Sequence, residues 1–280
     1  MASIRYFSPA PALRDAVSSY YWFEFDLPVF SDMMRAELPQ IRLLVEGAAA
    51  NFYPDGSVTS GVSALLQGPT TGPVRFLAKG RLCVFGIGLL PLGWAELVGV
   101  PADALADQGI PLADVLGREA DDLFDAVASA HDNAGRVAAA NAFLLGWQAR
   151  ARAAPRWFTA LADDWLTASA APDVDALVAA SGMSQRSVER LSKRLYGATP
   201  KLLARKYRAL GAAVRLGNGE QQDWMQAGEG FYDQAHFIRE FKQFTGMTPK
   251  RFLAEAAPVT RLTIARKRLM PGLPKLALYS

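Results

Sequence analysis

The chain has 280 residues, 51% of them apolar and 20% charged, a composition that supports buried cores and excludes a disordered polymer. One cysteine, Cys83, rules out an intramolecular disulfide framework and multi-cysteine metal sites, and two histidines, His131 and His236, leave little for imidazole metal centres. The net charge of +3 hides a division: residues 182–280 hold 18 Lys+Arg against 7 Asp+Glu, whereas residues 1–181 hold 12 against 20, so an acidic module precedes a basic one suited to a polyanion such as nucleic acid.

The opening MASIRYFSPAPALRD lacks the uninterrupted apolar core of a signal peptide. The longest apolar run, Leu82 to Val100, is broken by Pro91, Glu96 and glycines, so no membrane span and a cytoplasmic location are expected. Strand-like segments follow one another at Tyr20 to Asp26, Ile41 to Val45, Ala50 to Tyr53, Arg75 to Ala78 and Leu82 to Leu89, with Pro54-Asp55-Gly56 and Lys79-Gly80 as turns. They predict a small β-barrel or curled sheet. Within it Tyr20, Tyr21, Trp22, Phe23, Phe25 and Trp94 are candidates to line an apolar pocket, against the alternative of ordinary core packing. Cys83 lies in an apolar strand pattern, which predicts a buried, inert thiol. Asp121 to Ala153 reads as Ala-rich helix.

No catalytic constellation stands out. Gly86-Ile-Gly88-Leu-Leu-Pro91 starts like a dinucleotide loop but ends in proline, and the adjacent pairs Asp121-Asp122 and Asp163-Asp164 diverge by about 100° on a helix. No enzyme activity, metal or cofactor is expected.

The basic half repeats itself at an offset of 49. Ser184 to Lys201, SQRSVERLSKRLYGATPK, and Asp233 to Lys250, DQAHFIREFKQFTGMTPK, are identical at seven of eighteen positions, where chance gives about one. Each copy predicts a capped amphipathic helix: Ser184 or Asp233 as N-cap, Gly197 or Gly246 after the last turn, then Thr-Pro opening the next helix. Val188, Leu191 and Leu195 take the apolar face of the first copy, and Phe237, Phe241 and Phe244 that of the second; the arginines fall opposite. A shorter helical segment ending in a glycine turn precedes each copy, Val174 to Ser181 and Asp223 to Glu229, which completes two helix-turn-helix patterns. Pro200 to Leu216 predicts one helix connecting them.

Gly230-Phe231, Asp233 to Phe237, Arg239, Phe241-Lys242, Gly246 to Pro249 and Phe252 resemble the signature of AraC/XylS-type transcription regulators, and the resemblance runs from about Val174 to Phe252. The sequence departs from that pattern at Ser192, in place of an aromatic, at Val178 and Gln226, in place of alanines, and at Gly228, which weakens the second leading helix. More weakly, Arg35 to Ser57 and Gly86 to Asp114 resemble the cupin-like N-terminal domain of some such regulators. The resemblance implies an α+β chain: a cupin-like, β-rich sensor domain over 1–118, a helical linker or dimerisation segment over 119–170, a tandem helix-turn-helix domain over 171–256 and a basic tail over 257–280. The tail is either an additional DNA-backbone arm or, because Leu262 and Ile264 are apolar, a segment folded back on the body.

The resemblance also implies two recognition helices in successive major grooves. Arginine matches the acceptors of guanine and glutamine the edge of adenine, which makes Gln185, Arg186, Arg190, Gln234, Ala235 and Arg239 the candidate base readers. Lys193, Arg194, Thr199, Lys201, Lys242, Thr248, Lys250 and Arg251 are candidates for phosphate contacts. His236 reads as a helix-surface or phosphate-side group. The expected partner is double-stranded DNA, with a small-molecule effector, RNA polymerase and a second copy in a homodimer as further candidates. A DNA-repair protein or an adaptor carrying a similar reader is the alternative.

Overall fold

Aromatic and β-branched residues dominate the first half of the chain and favour pleated, half-buried strands. In the computed structural model, which describes residues 2–220, 226–228, 230–255, 258–264, 266, 270 and 272–279, β1 (Ser3–Phe7), β2 (Val17–Met34), β3 (Gln40–Glu46), β4 (Ala49–Phe52), β5 (Val58–Ser60), β6 (Ala64–Gln67), β7 (Val74–Leu89) and β8 (Gly109–Pro111) form one sheet. Its order is β1-β2-β7-β3-β6-β8, with β4 paired to β7 and β5 to β4. The pairings are antiparallel; Tyr21 lies opposite Gly86 and Trp22 opposite Phe85. The α+β class and the N-terminal sheet expected from the sequence are present.

Alternation along β2 sends Tyr20 and Trp22 to one face and Tyr21, Phe23 and Phe25 to the other. A short turn α1 (Pro91–Gly93) runs into a π-helical turn at Trp94–Val98, which places Trp94 in the first of these cores. After α2 (Ala113–Leu116), the helices α3 (Glu119–Ala128) and α4 (Asn133–Gln148) close this face with Leu123, Val127, Leu144 and Trp147. The opposite face curls over Phe23, Phe25, Phe30 and Phe76; the Phe25 and Phe30 rings lie 4.5 Å apart. Cys83 is buried, and burial, the largest influence, raises its thiol pKa, as an inert thiol requires.

The helical segment 119–170 divides between two bodies. While α3 and α4 lie on the sheet, α5 (Arg156–Ala168) contributes Phe158, Ala162 and Leu166 to a core shared with α6 (Val174–Ser181) and α7 (Gln185–Tyr196). Tyr196 at the end of α7 donates to Asp163 Oδ1 at 2.6 Å, and burial pushes that carboxyl up to about 7. Next come α8 (Pro200–Gly217), α9 (Gln234–Thr245) and α10 (Pro249–Glu255). Of the expected helix Asp223 to Glu229, Gln226–Gly228 forms a 3₁₀ turn and the remainder lies outside the described residues.

The C-terminal segment folds back on the body. In α11 (Pro258–Ile264) the Val259 amide donates to Asp32 Oδ2 at 2.8 Å, and Thr263 Oγ1 accepts from Arg35 Nη1 at 2.6 Å. Leu276 and Ala277 of α12 (Lys275–Leu278) are buried in the core around α5 and α7. Lys267 and Arg268 of the basic tail lie outside the described residues.

The sheet and the helical half share a polar seam. Lys206, at the middle of α8 and 4% exposed, donates to the carbonyls of Glu37 at 2.9 Å and Thr70 at 2.7 Å. Burial lowers its ammonium pKa from 10.5 to about 8. The folded state therefore binds this proton less tightly than the unfolded chain, so stability is lowest below pH 8 and rises between about 8 and 10.5. The rise should amount to about 3 kcal/mol. Lys206→Met removes both the buried charge and its titration, and urea unfolding across that window should lack this rise in the variant.

Candidate nucleic-acid interface

Each reader helix begins where a short polar side chain satisfies an otherwise orphaned amide. Ser184 accepts from the Ser187 amide at 3.3 Å, and Asp233 from that of His236 at 2.7 Å. Each ends at a glycine in the left-handed region, Gly197 at φ 79° and Gly246 at φ 80°. Thr199 and Thr248 cap α8 and α10, their hydroxyls accepting from the amides of Leu202 at 3.3 Å and Arg251 at 3.4 Å. Each hydroxyl proton remains available to a phosphate oxygen.

This framing fixes which side of each helix is buried. Val188 and Leu195 of α7, and Phe237, Phe241 and Phe244 of α9, are fully buried or nearly so. Gln185, Arg186, Arg190 and Lys193 on α7 and Gln234, Ala235, Arg239 and Lys242 on α9 are exposed, as are Arg194, Lys201, Lys250 and Arg251. A groove of about 740 Å³ runs between the two readers: Gln185 and Glu189 border it from α7, Arg239 and His236 from α9, and Lys201 from α8 at its floor. Arg194 is turned elsewhere, beside Val100 and Arg152 of the sheet domain. Ser192 is buried at 1% exposure in the first reader; its counterpart Phe241 meets Phe237 and Phe252 edge to face, with ring centroids 5.5 and 5.2 Å away.

The second reader is held by a carboxylate absent from the sequence-based candidates. Glu240, its side chain 3% exposed, receives Arg205 Nε at 2.5 Å and Arg208 Nη2 at 3.2 Å, both from α8, and faces His236 Nε2 at 3.2 Å. Burial pushes its pKa up, but the hydrogen bond and charge of Arg205 outweigh that and hold the carboxyl below its ordinary range. Arg208 also donates to the Gly230 carbonyl at 3.0 Å and lies 4.9 Å over the Phe231 ring, tying the turn before α9 to α8. His236 is thus turned toward Glu240 rather than being a plain surface group. The signal in the sequence was a carboxylate one residue before Phe241 and three after Phe237, on the apolar stripe.

The sheet domain meets both readers at their C-terminal ends. A Cβ added at Gly197 would sit 2.5 Å from Pro69 Cγ, and one at Gly246 would sit 2.8 Å from Met33 Cγ. The Ala36 amide donates to the Phe244 carbonyl at 2.8 Å.

A separate cavity lies on the concave face of the sheet. Tyr21, Phe23 and Phe76 line it, together with Glu37, Gln40 and Arg42. Tyr20, Trp22 and Trp94 belong to the opposite core, and Phe25 stands behind Phe23 without reaching the cavity wall.

Residues 177–255 match a family described as a helix-turn-helix domain, and residues 5–111 match one described as a domain of unknown function, DUF6597. No curated protein matches the sequence. Among solved structures, ToxT from Vibrio cholerae strain SCE256, with unsaturated fatty acid bound, aligns at 9% identity over 84% of this chain and 94% of its own, with a TM-score of 0.49. The AraC-like transcriptional activator CuxR aligns at 12% identity over 76% and 87%, with a TM-score of 0.29. A cupin superfamily protein from Desulfitobacterium hafniense DCB-2 aligns at 16% identity over 32% and 77%, with a TM-score of 0.21. Residues 177–255 of this chain are a helix-turn-helix domain.

Proposed function

We propose that the protein is a sequence-specific, effector-responsive transcription regulator whose α7 and α9 read two adjacent major grooves. The observation that carries this reading is the placement of two repeat-related helices, each capped at both ends and each with exposed basic residues, with Gln185 of α7 and Arg239 of α9 bordering one groove. One turn of B-DNA is about 34 Å, so two such helices joined by a single connecting helix suit two successive turns. Gln185, Arg186 and Arg190 read the first box, and Gln234, Ala235 and Arg239 the second. Lys193, Lys201, Lys242, Lys250, Arg251 and the caps Thr199 and Thr248 hold phosphates, with Arg194 at the edge of that surface. The sheet with α3 and α4 senses the effector, and α5 begins the DNA-binding unit; RNA polymerase and a second copy are the protein partners this role calls for.

Selection of bound sequences from random duplex DNA by the full chain tests the reading. Two short boxes about one helical turn apart, bound with a steep salt dependence, are expected; a single box, or no enrichment, would remove the tandem mode. On the selected site, Arg239→Ala should lose at least as much affinity as Arg190→Ala, about 1–3 kcal/mol each. Equal losses on random and selected DNA would show that neither arginine reads a base.

A further inference from the structure

The two turns that lead into the reader helices differ by one residue. In the first, Met183 alone separates Gly182, in the left-handed region at φ 64°, from the cap Ser184; in the second, Phe231 and Tyr232 separate Gly230, at φ 87°, from the cap Asp233. Met183 is turned inward and packs against the core shared by α5, α6 and α7. Phe231 takes that inward role in the second turn: its ring centroid lies 4.9 Å from that of Phe237, and Arg208 lies over it at 4.9 Å. The additional residue, Tyr232, is left outside the core and is 93% exposed.

An isolated exposed aromatic is ordinary on a protein surface; Tyr232 is set apart by its place. The turn is fixed on both sides of it, because Arg208 donates to the Gly230 carbonyl at 3.0 Å and the Asp233 carboxylate accepts from the His236 amide at 2.7 Å. The side chain therefore leaves an anchored backbone at the tip of α9, one residue before the cap and two before Gln234. The positive end of the α9 dipole lies at the same tip and favours an anion. A phenolic O–H donor carries no charge, so it forms no ion pair with the neighbouring Asp233, as a lysine there would.

We propose that Tyr232 holds the DNA backbone at the edge of the second box, its hydroxyl donating to a phosphate oxygen and its ring lying against the adjoining sugar. The proposal rests on the DNA-reading function above and deepens it. Tyrosine hydroxyls are among the donors that position proteins on phosphates, and a hydrogen bond to a charged acceptor is shorter and stronger than a neutral one. The result is an asymmetry between the readers: the second gains an anchor with no counterpart in the first, where Met183 belongs to the core.

Binding of the full-length protein to the duplex selected from random sequences, and to an unrelated duplex of the same length, tests the anchor. Tyr232→Phe removes the hydroxyl alone and should lower affinity about tenfold, by the same factor on both duplexes, since a phosphate carries no sequence information. The salt dependence should keep the wild-type slope, because no charge is lost. Tyr232→Ala, which removes the ring as well, should lose at least as much. Urea midpoints of both variants should match the wild type, as expected of a side chain that is 93% exposed. Wild-type affinity in Tyr232→Phe, a loss confined to the selected duplex, a changed salt slope, or a urea midpoint that falls together with the affinity would each overturn the proposal. Wild-type affinity in Tyr232→Ala would do the same and leave the exposed ring to a protein partner. A wild-type protein that binds no duplex would overturn the DNA-reading function and the anchor together, whereas two selected boxes bound equally by Tyr232→Phe would overturn the anchor alone.

Discussion

Glu240→Ala should lower the stability of the protein by about 3 kcal/mol and abolish specific DNA binding, although Glu240 itself is buried. Removing one partner of a buried ion pair leaves its partners desolvated and uncompensated, which costs about 3–5 kcal/mol. The lower end applies because the Arg205 side chain is 34% exposed and recovers some hydration. Arg208, at 19%, recovers less. Without the carboxylate, nothing of that charge joins α9 to α8, and Arg239, one residue earlier on the same helix, loses its orientation. Because the folded pKa of Glu240 is depressed, its contribution is fully present above the unfolded value of about 4.3 and is lost as pH falls through the lower folded value. Urea unfolding of wild type and Glu240→Gln should therefore differ at neutral pH and converge under acid. A variant with an unchanged urea midpoint at pH 7 would remove Glu240 from its organising role.

Gly197→Ala should cost about 3 kcal/mol, whereas Gly182→Ala should cost only about 1. Both glycines have positive φ, 79° and 64°, a conformation that penalises any side chain by about 1–2 kcal/mol. They differ in their surroundings. A methyl at Gly182 meets nothing within 4 Å, while one at Gly197 sits 2.5 Å from Pro69 Cγ and 3.2 Å from the Ala102 carbonyl. Overpacking of that kind adds about 1–3 kcal/mol. The difference between the two variants in thermal unfolding isolates the contact of the sheet domain with the first reader. Identical losses would mean that this contact yields freely.

The readers were legible in the sequence because every feature that defines them is local: caps, helical periodicity, the Gly-Ala-Thr-Pro and Gly-Met-Thr-Pro ends, and a repeat that tests itself. The sheet was legible only as strands. In Tyr20-Tyr21-Trp22-Phe23 both faces are buried, so apolar character runs continuously and the alternation that would separate the cavity side from the helix side is hidden. The buried cations were illegible for another reason. Arg35 meets Thr263, 228 residues away, and Lys206 meets Glu37, 169 residues away, so each reads as an ordinary surface charge until the chain is folded. Glu240 stood between these cases: its position on the apolar stripe was visible, but its partners 32 and 35 residues earlier were not.

The seating of α7 and α9 on the sheet domain at Gly197 and Gly246 makes each of them a lever with its fulcrum at its C-terminal end. A helix of 12 residues is about 18 Å long, and Gln185 and Gln234 ride at its free tip. Tilting such a lever by about 10° at the fulcrum displaces the tip by about 3 Å, the length of a hydrogen bond. A movement of the sheet surface too slight to disturb either hydrophobic core is thereby magnified, at the tips that carry Gln185 and Gln234, into a displacement as long as a hydrogen bond.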